Sequence, residues 1–204
     1  MKIYPVAKRF FDFTLSLLGI IILLPLFLII AMLIKFDSKG PVLFKQKRIG
    51  KNKTYFYILK FRTMRIDTPK DTPTHLLESP NKFITRIGKV LRKTSLDELP
   101  QIINILKGEM SIVGPRPALW NQYDLIKERD HYGANQISPG LTGWAQINGR
   151  DELPIEVKAQ YDGEYVQRMS LFFDMVVMVK TIVNVIKREG VREGTTRQGT
   201  KEFP

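Results

Sequence analysis

Two adjacent carboxylates beside a hydroxyl group, in the tetrapeptide Ser95-Leu96-Asp97-Glu98, form the pattern in this sequence best suited to catalysis. A structural interpretation competes. Ser-x-x-Glu is a capping box, in which the serine accepts a hydrogen bond from the backbone N–H three residues on and the glutamate bonds back. Asp97 would then only favour the positive end of the helix dipole. Taken alone, the tetrapeptide favours the capping box.

The surroundings of this acidic pair also fit a catalytic role. Arg92 and Lys93 precede it, and Pro100 removes a hydrogen bond near the start of the following helix. Because nearby positive charge stabilises an ionised carboxylate, the sequence predicts a lowered pKa for Asp97. An ionised aspartate can attack phosphorus, and together with substrate phosphates it can hold Mg²⁺. Capping and catalysis are compatible, so both interpretations stay open here.

Two downstream motifs offer binding groups for anions. Arg116 lies between two prolines, and a guanidinium on a restricted backbone suits bidentate phosphate binding, although a solvated arginine on a surface turn is the alternative. Residues 139–150 are rich in glycine, which allows close approach of a ligand to the backbone. In this segment Arg150 is expected to contact a phosphate. Trp144 could stack on a base or anchor at the membrane interface, but packing in the core is the favoured interpretation.

The elements that must carry these residues are mainly helical, with one pair of strands. Val42–Ile49 and Thr54–Met64 are predicted strands, joined by a turn at residues 50–53. Lys60 and Arg62 lie two apart in the second strand and therefore share a face. Residues 65–80 are predicted to form a loop. Apolar residues at helical spacing predict helices over residues 83–93, 95–107, 118–130, 155–168 and 171–187, the first of them suited to an anionic membrane surface.

The N-terminal segment Phe13–Ile34 carries no formal charge over 22 residues, which is long enough to cross a bilayer. A straight spanning helix is one interpretation. Pro25 in its interior and basic residues on both flanks favour a re-entrant hairpin, broken at Pro25, with both ends on the cytoplasmic side. Asp12 at the entry is expected to pair with Lys8 or Arg9.

Composition limits the class of protein and of partner. The chain has 204 residues, a net charge of +12 and no cysteine, so disulfide frameworks and thiolate metal sites are excluded. The basic charge predicts an anionic partner. A nucleic-acid-binding protein would not need the apolar segment, and the sequence has no repeat of aromatic and basic residues of the single-strand-binding kind. A membrane-tethered module that binds anionic lipid without catalysis remains the alternative to an enzyme.

Four motifs, taken in order, resemble those of the bacterial sugar transferase family, the monotopic polyprenyl-phosphate phosphoglycosyl transferases. The motifs are KFRTM (60–64), RKTSLDELPQ (92–101), GEMSIVGPRP (108–117) and PGLTGWAQINGR (139–150). The resemblance runs from the apolar segment to about residue 187. It implies the minimal catalytic form of the family. One departure is Leu24 before Pro25, where many members have serine.

The resemblance implies transfer of a sugar-1-phosphate from a UDP-sugar to undecaprenyl phosphate, with release of UMP, at the cytoplasmic face of the bacterial inner membrane. It places the family's Asp-Glu pair at Asp97 and Glu98. Asp97 would attack the β-phosphate, form a covalent phosphosugar intermediate and lie nearest Mg²⁺, whereas Glu98 would act as a base or position the site. Contacts to phosphate or nucleotide are assigned to Lys60, Arg62, Arg92, Arg116 and Arg150.

These inferences together predict a mainly α fold with a small β-hairpin. Residues 1–39 form the re-entrant membrane helix, residues 40–190 a compact cytoplasmic catalytic domain with interfacial amphipathic helices, and residues 191–204 a polar tail. The expected partners are a UDP-sugar, undecaprenyl phosphate and anionic lipid, with Mg²⁺ as cofactor and no nucleic acid. The sequence names neither the sugar nor the oligomeric state, and a homodimer stays open.

Overall fold

A computed structural model describes residues 3–68, 82–149 and 153–187. The described chain is mostly helical, as predicted, and contains the predicted hairpin together with a second small sheet. Arg150, residues 69–80 of the predicted loop and the tail 191–204 lie outside the described residues. The elements are α1 (Ile3–Asp37), β1 (Leu43–Ile49), β2 (Tyr55–Phe61), α2 (Arg86–Lys93), α3 (Gln101–Lys107), β3 (Ser111–Val113), α4 (Tyr123–Asp130), β4 (Gly140–Thr142), α5 (Trp144–Ile147), α6 (Ile155–Arg168) and α7 (Leu171–Lys187).

Helix α1 is one element of 35 residues that includes Pro25 in its interior, so the predicted break does not interrupt the secondary structure. At 1.5 Å per residue the helix is about 52 Å long. It is long and apolar enough to cross a membrane. One stripe of the helix is buried against the rest of the chain, and most of the remaining apolar side chains are exposed. The buried residues are Asp12, Ser16, Ile30 and Ile34.

Polar contacts tie the first third of α1 to the rest of the chain. Asp12 does not pair with Lys8 or Arg9 as expected. Instead its Oδ1 accepts a hydrogen bond from the N–H of Ile112, at 3.0 Å. The Nζ of Lys8 donates to Oδ2 of Asp174, at 2.7 Å, in α7. Lys8 and Asp12 therefore bind other parts of the protein, which fixes the start of α1 on α7 and β3.

Strands β1 and β2 form the predicted antiparallel hairpin, with ends within a few residues of the prediction. The last residue of β2, Phe61, packs in a core cluster with Ile30 and Ile34 of α1 and with Leu91 of α2. Helix α2 approaches the chain that follows β2 so closely that a Cβ at Gly88 would overlap the Thr63 carbonyl. The base of the hairpin, α2 and the end of α1 thus form one packed unit.

The helix predicted over residues 95–107 is divided. Residues 96–98 form a 3₁₀ turn, and α3 begins only after Pro100. The Asn104 side chain fixes α3 to the hairpin, because its Oδ1 accepts from the N–H of Leu59 and its Nδ2 donates to the carbonyl of Tyr57, both at 2.9 Å. Asn104 is 1% exposed, so these bonds lie in the interior, where breaking them would leave buried polar groups unsatisfied.

A short parallel pair, β3 and β4, was not predicted from the sequence. Each strand has only three residues, too few for a visible alternation of apolar side chains. Helices α6 and α7 have the predicted bounds, whereas α4 begins five residues later than predicted. As expected, Trp144 packs in the core, with its ring 5.0 Å from that of Phe173.

Candidate active site

Ser95 does not cap a helix, so the capping-box interpretation is wrong. Its backbone has φ 56° and ψ 15°, in the left-handed region, and its side chain makes no capping hydrogen bond. A capping serine has an extended backbone, which aims its oxygen at the N–H three residues on. Here the Ser95 carbonyl, and not its side chain, accepts a hydrogen bond from the backbone N–H of Glu98, at 3.2 Å. The Glu98 side chain is therefore available for other contacts.

The Glu98 carboxylate joins two cations from separate parts of the chain. Its Oε1 accepts from Nζ of Lys60 at 2.7 Å and from NH2 of Arg116 at 2.9 Å. Lys60 comes from β2, and Arg116 follows β3 in its proline-flanked turn. The exposed fractions of the three side chains are 17% for Lys60, 20% for Glu98 and 30% for Arg116. The cluster is thus shielded from bulk solvent yet still reachable.

The pKa of Glu98 lies well below its usual range. Burial alone would raise this pKa, but the positive charges of Arg116 and Lys60, with the hydrogen bonds that they donate, outweigh burial. A carboxylate with two charge-assisted hydrogen bonds to one oxygen stays ionised at neutral pH. Glu98 is consequently a weak proton acceptor and a strong organiser of the two cations.

The pKa of Asp97 is raised, contrary to the lowered pKa expected from the sequence. Burial is the largest cause, and the negative charge of Glu98 adds to it. Lys60, Arg92 and Arg116 act in the opposite direction without prevailing. The physical reason is that burial disfavours the charged form of a carboxylate, and the three cations do not fully compensate for it. Asp97 therefore differs sharply from Glu98 in basicity.

Three of the five cations assigned to phosphate contacts act on this acidic pair. Lys60 and Arg116 bind Glu98 directly, and the charge of Arg92 is felt at Asp97. A surplus of positive charge around two carboxylates suits a site that must receive further negative charge from a substrate. The sequence motifs predicted this grouping in part, although residues 60, 92 and 116 are far apart along the chain.

Arg62 differs from the other cations of the predicted set, because its described hydrogen bonds all go to the end of α1 and the two residues that follow it. It donates to the carbonyl and hydroxyl oxygens of Ser38, at 2.8 and 3.0 Å, and to the carbonyl of Lys39 at 2.5 Å. The side chain is buried, at 5% exposure. Strand β2 ends at Phe61, so the alternation that would align Arg62 with Lys60 no longer applies. Its position is that of a cation stabilising a helix C-terminus.

The two carboxylates, Asp97 and Glu98, are the candidate protein ligands for Mg²⁺. Among the residues that the structure describes, no three histidine, cysteine, aspartate or glutamate side chains are grouped as a metal site. Mg²⁺ often binds through one or two carboxylates and completes its shell with water and substrate phosphates. Asp97, with Glu98 beside it, fits that mode of binding and does not fit a cage built from protein ligands alone.

One feature that the sequence did not reveal is a buried polar cluster that joins α1 to α6 and α7. The hydroxyl of Tyr165 lies 2.7 Å from Oδ1 of Asp174, and the hydroxyl of Tyr4 donates to Oδ2 of Asp174 at 2.9 Å. Burial raises the pKa of Tyr165. The sequence signal was weak, since a single aspartate near the start of a helix is ordinarily a dipole partner.

Comparisons with known proteins show the family to which this chain belongs. Residues 3–188 match the model of a family described as bacterial sugar transferase. A UDP-glucose:undecaprenyl-phosphate glucose-1-phosphate transferase of Xanthomonas campestris pv. campestris is 43% identical over 190 residues, covering 90% of this chain and 39% of the relative. An exopolysaccharide production protein of Sinorhizobium fredii is 38% identical, covering 91% of this chain and 88% of the relative.

A third relative is the UDP-N-acetylgalactosamine-undecaprenyl-phosphate N-acetylgalactosaminephosphotransferase of Aeromonas hydrophila. It is 37% identical, over 93% of this chain and 46% of its own length. The chain thus spans less than half of two of these relatives and most of the other one. Because the family model covers nearly the whole chain, including α1 and the Asp97 region, the chain belongs to the bacterial sugar transferase family.

Proposed function

We propose that this enzyme transfers a sugar-1-phosphate from a UDP-sugar to undecaprenyl phosphate and releases UMP. The observation that carries the proposal is the cluster in which Glu98 holds Lys60 and Arg116 beside Asp97. Two relatives are named as undecaprenyl-phosphate transferases of glucose-1-phosphate and of N-acetylgalactosamine phosphate, which supports this acceptor and this class of donor.

The reaction divides into two displacements at the same phosphorus. A carboxylate oxygen of Asp97 attacks the β-phosphorus of the UDP-sugar, and the bond from that phosphorus to the bridging oxygen breaks, so that UMP leaves with the electron pair. A phosphate oxygen of undecaprenyl phosphate then attacks the Asp97-bound phosphorus and frees the carboxylate. Splitting the reaction in this way keeps two anionic substrates from having to meet directly. The sugar C1–O bond stays intact, so the anomeric configuration is retained.

Glu98 acts in this proposal by positioning cations. Its lowered pKa makes it a poor base, and the acceptor is a phosphate monoester, whose second ionisation near pH ~6 leaves it largely deprotonated at neutral pH. The ion pairs of Glu98 instead hold Lys60 and Arg116 at fixed positions, where their charge stabilises the phosphoryl group during transfer. Preorganised cations need no rearrangement at the moment of reaction.

Magnesium is part of the proposal. Asp97, together with diphosphate oxygens of the donor, would hold the ion, and Glu98 is the nearest further carboxylate. When bound, Mg²⁺ would supply Lewis-acid stabilisation of the leaving phosphate. The protein's own contribution is then the positive charge of Lys60, Arg92 and Arg116, which partly opposes the rise in the pKa of Asp97 caused by burial and offsets the charge of the substrates.

The placement of α1 supports attachment to one face of the membrane. Near its start Arg9 donates to the carbonyls of Ile105 and Leu106 of the catalytic domain. At its end Asp37 Oδ2 accepts from the N–H of Ile87, at 3.1 Å. Because one compact domain holds both ends of the helix, a span that places them on opposite sides of a bilayer is disfavoured. We infer that α1 is re-entrant and that the domain lies at the cytoplasmic face of the bacterial inner membrane.

The decisive experiment measures UMP release by purified protein with a panel of UDP-sugars, undecaprenyl phosphate and Mg²⁺. Asp97→Asn should abolish release, while Asp124→Asn, an exposed aspartate on α4, should leave it unchanged. Without acceptor, wild-type protein should gain the mass of a sugar phosphate. Release of UMP by Asp97→Asn would exclude Asp97 as the nucleophile. If no donor gave UMP, the result would favour the alternative of a membrane-tethered module that binds anionic lipid without catalysis.

A further inference from the structure

Ser95 occupies a backbone position where glycine is the residue of least strain. With φ 56° its backbone lies in the left-handed region. Glycine, which has no side chain, adopts this conformation readily and asparagine tolerates it, whereas most other residues are strained there. The chain uses glycine at the corresponding place after α3, where Gly108 has φ 87°. The other two non-glycine residues with positive φ in the described chain, Asn52 and Lys53, belong to the turn of the hairpin. Strain retained at a fixed position calls for a compensating function of the side chain.

The Ser95 hydroxyl has no structural use in the part of the chain that the structure describes. The hydroxyl makes no capping hydrogen bond. It also does not belong to the fully buried polar groups that lack a hydrogen-bond partner, so burial does not explain its missing partner. The residue is half-buried, so a ligand can reach its oxygen. The neighbouring Thr94 differs, because its hydroxyl bonds to the carbonyls of Val90 and Leu91 and so serves the end of α2. The two adjacent hydroxyl residues therefore have separate roles.

The position of Ser95 relative to the reacting residue suggests which ligand would use the hydroxyl. Ser95 lies two residues before Asp97, in the turn closed by the bond from the Glu98 N–H to the Ser95 carbonyl. The charges of Lys60, Arg92 and Arg116 act on Asp97 in the same turn. A hydroxyl that is not bonded within the described chain, two residues from a carboxylate that attacks phosphorus, can donate a hydrogen bond to a phosphate oxygen.

Resting on the proposed function, we propose that Ser95 is a further substrate-binding residue. Its Oγ–H donates a hydrogen bond to a nonbridging oxygen of the phosphoryl group that Asp97 attacks. No bond to Ser95 is made or broken, and the hydroxyl keeps its proton throughout. Glycine would fit this turn without strain, but it would leave the phosphoryl oxygen without the hydrogen-bond donor that Ser95 supplies. A bond that strengthens as charge develops on the phosphoryl group accelerates transfer.

Four substitutions separate the effect of the Ser95 hydroxyl on activity from the effect of its strained backbone on stability. Ser95→Gly relieves the strain and should raise the melting temperature or leave it unchanged, while kcat falls about 10-fold or more. Ser95→Ala, which adds no flexibility, should lose a similar factor in kcat. Ser95→Thr keeps the hydroxyl at a greater cost in strain, so it should melt at a lower temperature but retain more activity than Ser95→Ala. Ser95→Asn tolerates the left-handed backbone and supplies an amide donor, which covers the case in which Ser95→Thr does not fold.

The readouts are thermal unfolding and the single-turnover rate at which the sugar-phosphate adduct forms without acceptor. Wild-type kinetics in Ser95→Ala would overturn the assignment, and so would a slow Ser95→Gly beside a fully active Ser95→Ala, since that pair would indicate rigidity alone. Either outcome would overturn only the role of Ser95, because wild-type protein that is active still supports the proposed function. Wild-type protein that forms no adduct and releases no UMP would instead overturn the proposed function, and this inference with it.

Discussion

Lys60 and Glu98 form an ion pair of 2.7 Å between Nζ and Oε1, although 38 residues separate them in the chain. The pair connects the only predicted hairpin of the sequence to the acidic motif. Its geometry depends on α3 packing against β2, which the Asn104 side chain fixes through two hydrogen bonds. A contact between these residues therefore reports on both the fold and the site.

Replacing Lys60 with methionine should lower kcat/KM by about 10–100-fold, because Glu98 loses one of its two cations and the phosphoryl group loses a positive charge. Lys45→Met is the matched control, since Lys45 is exposed on the neighbouring strand. UMP release at saturating and limiting donor concentrations measures both variants. Equal activity of the Lys60 and Lys45 variants would show that the ion pair has no part in transfer.

The dependence of kcat/KM on pH should show an acid limb set by Asp97, which must be ionised to attack. Since burial and Glu98 raise the pKa of Asp97, activity should fall at a pH above that of an ordinary aspartate, about 3.9. Arg92→Gln removes a charge that lowers this pKa, so its limb should move to higher pH. Arg86→Gln, on the exposed side of the same helix, is the control and should leave the acid limb at its wild-type pH. A shift of the limb to lower pH in the Arg92 variant would contradict the assignment to Asp97.

Replacing Arg62 with methionine should act on stability, because the end of α1 loses the guanidinium that binds its last carbonyls. The cost is expected to be about 2–4 kcal/mol, which corresponds to a melting temperature lower by roughly 5–15 °C. Arg65→Met is the control, since Arg65 is exposed and pairs only with nearby Asp67. Circular dichroism in detergent gives the melting curves. A variant of Arg62 with unchanged melting and lost activity would restore this residue to the phosphate-binding set.

Labelling of introduced cysteines tests the topology of α1, and the absence of native cysteine makes the background clean. Ile3→Cys and Lys39→Cys should both react with an impermeant maleimide only after the cytoplasmic side is opened, because both ends are held by one domain. Leu24→Cys, near Pro25, should react poorly from either side. Labelling of Ile3→Cys and Lys39→Cys from opposite sides would establish a spanning helix.

Local sequence predicted most elements because their signals are short-range. The hairpin, α2, α6 and α7 follow from periodicity and turn residues, and the apolar segment follows from composition. Local reasoning failed at Ser95, where a capping pattern was overridden by a left-handed turn, and at β3 and β4, which are too short to show a period. Ser95 adjoins Asp97 and β3 leads to Arg116, so part of this failure lies next to the candidate site, where local propensity is least expected to decide structure.

By itself the sequence determined the family motifs, the acidic pair at Asp97 and Glu98 and the apolar helix, since these depend on residue type and order. Tertiary structure alone decided which cations serve the pair. Lys60 meets Glu98 while Arg62, two residues on, binds the end of α1, because the strand stops at Phe61 and its alternation stops with it. It also decided that Glu98 is the more acidic carboxylate, since the strength of each charge depends on burial and on partners distant in sequence.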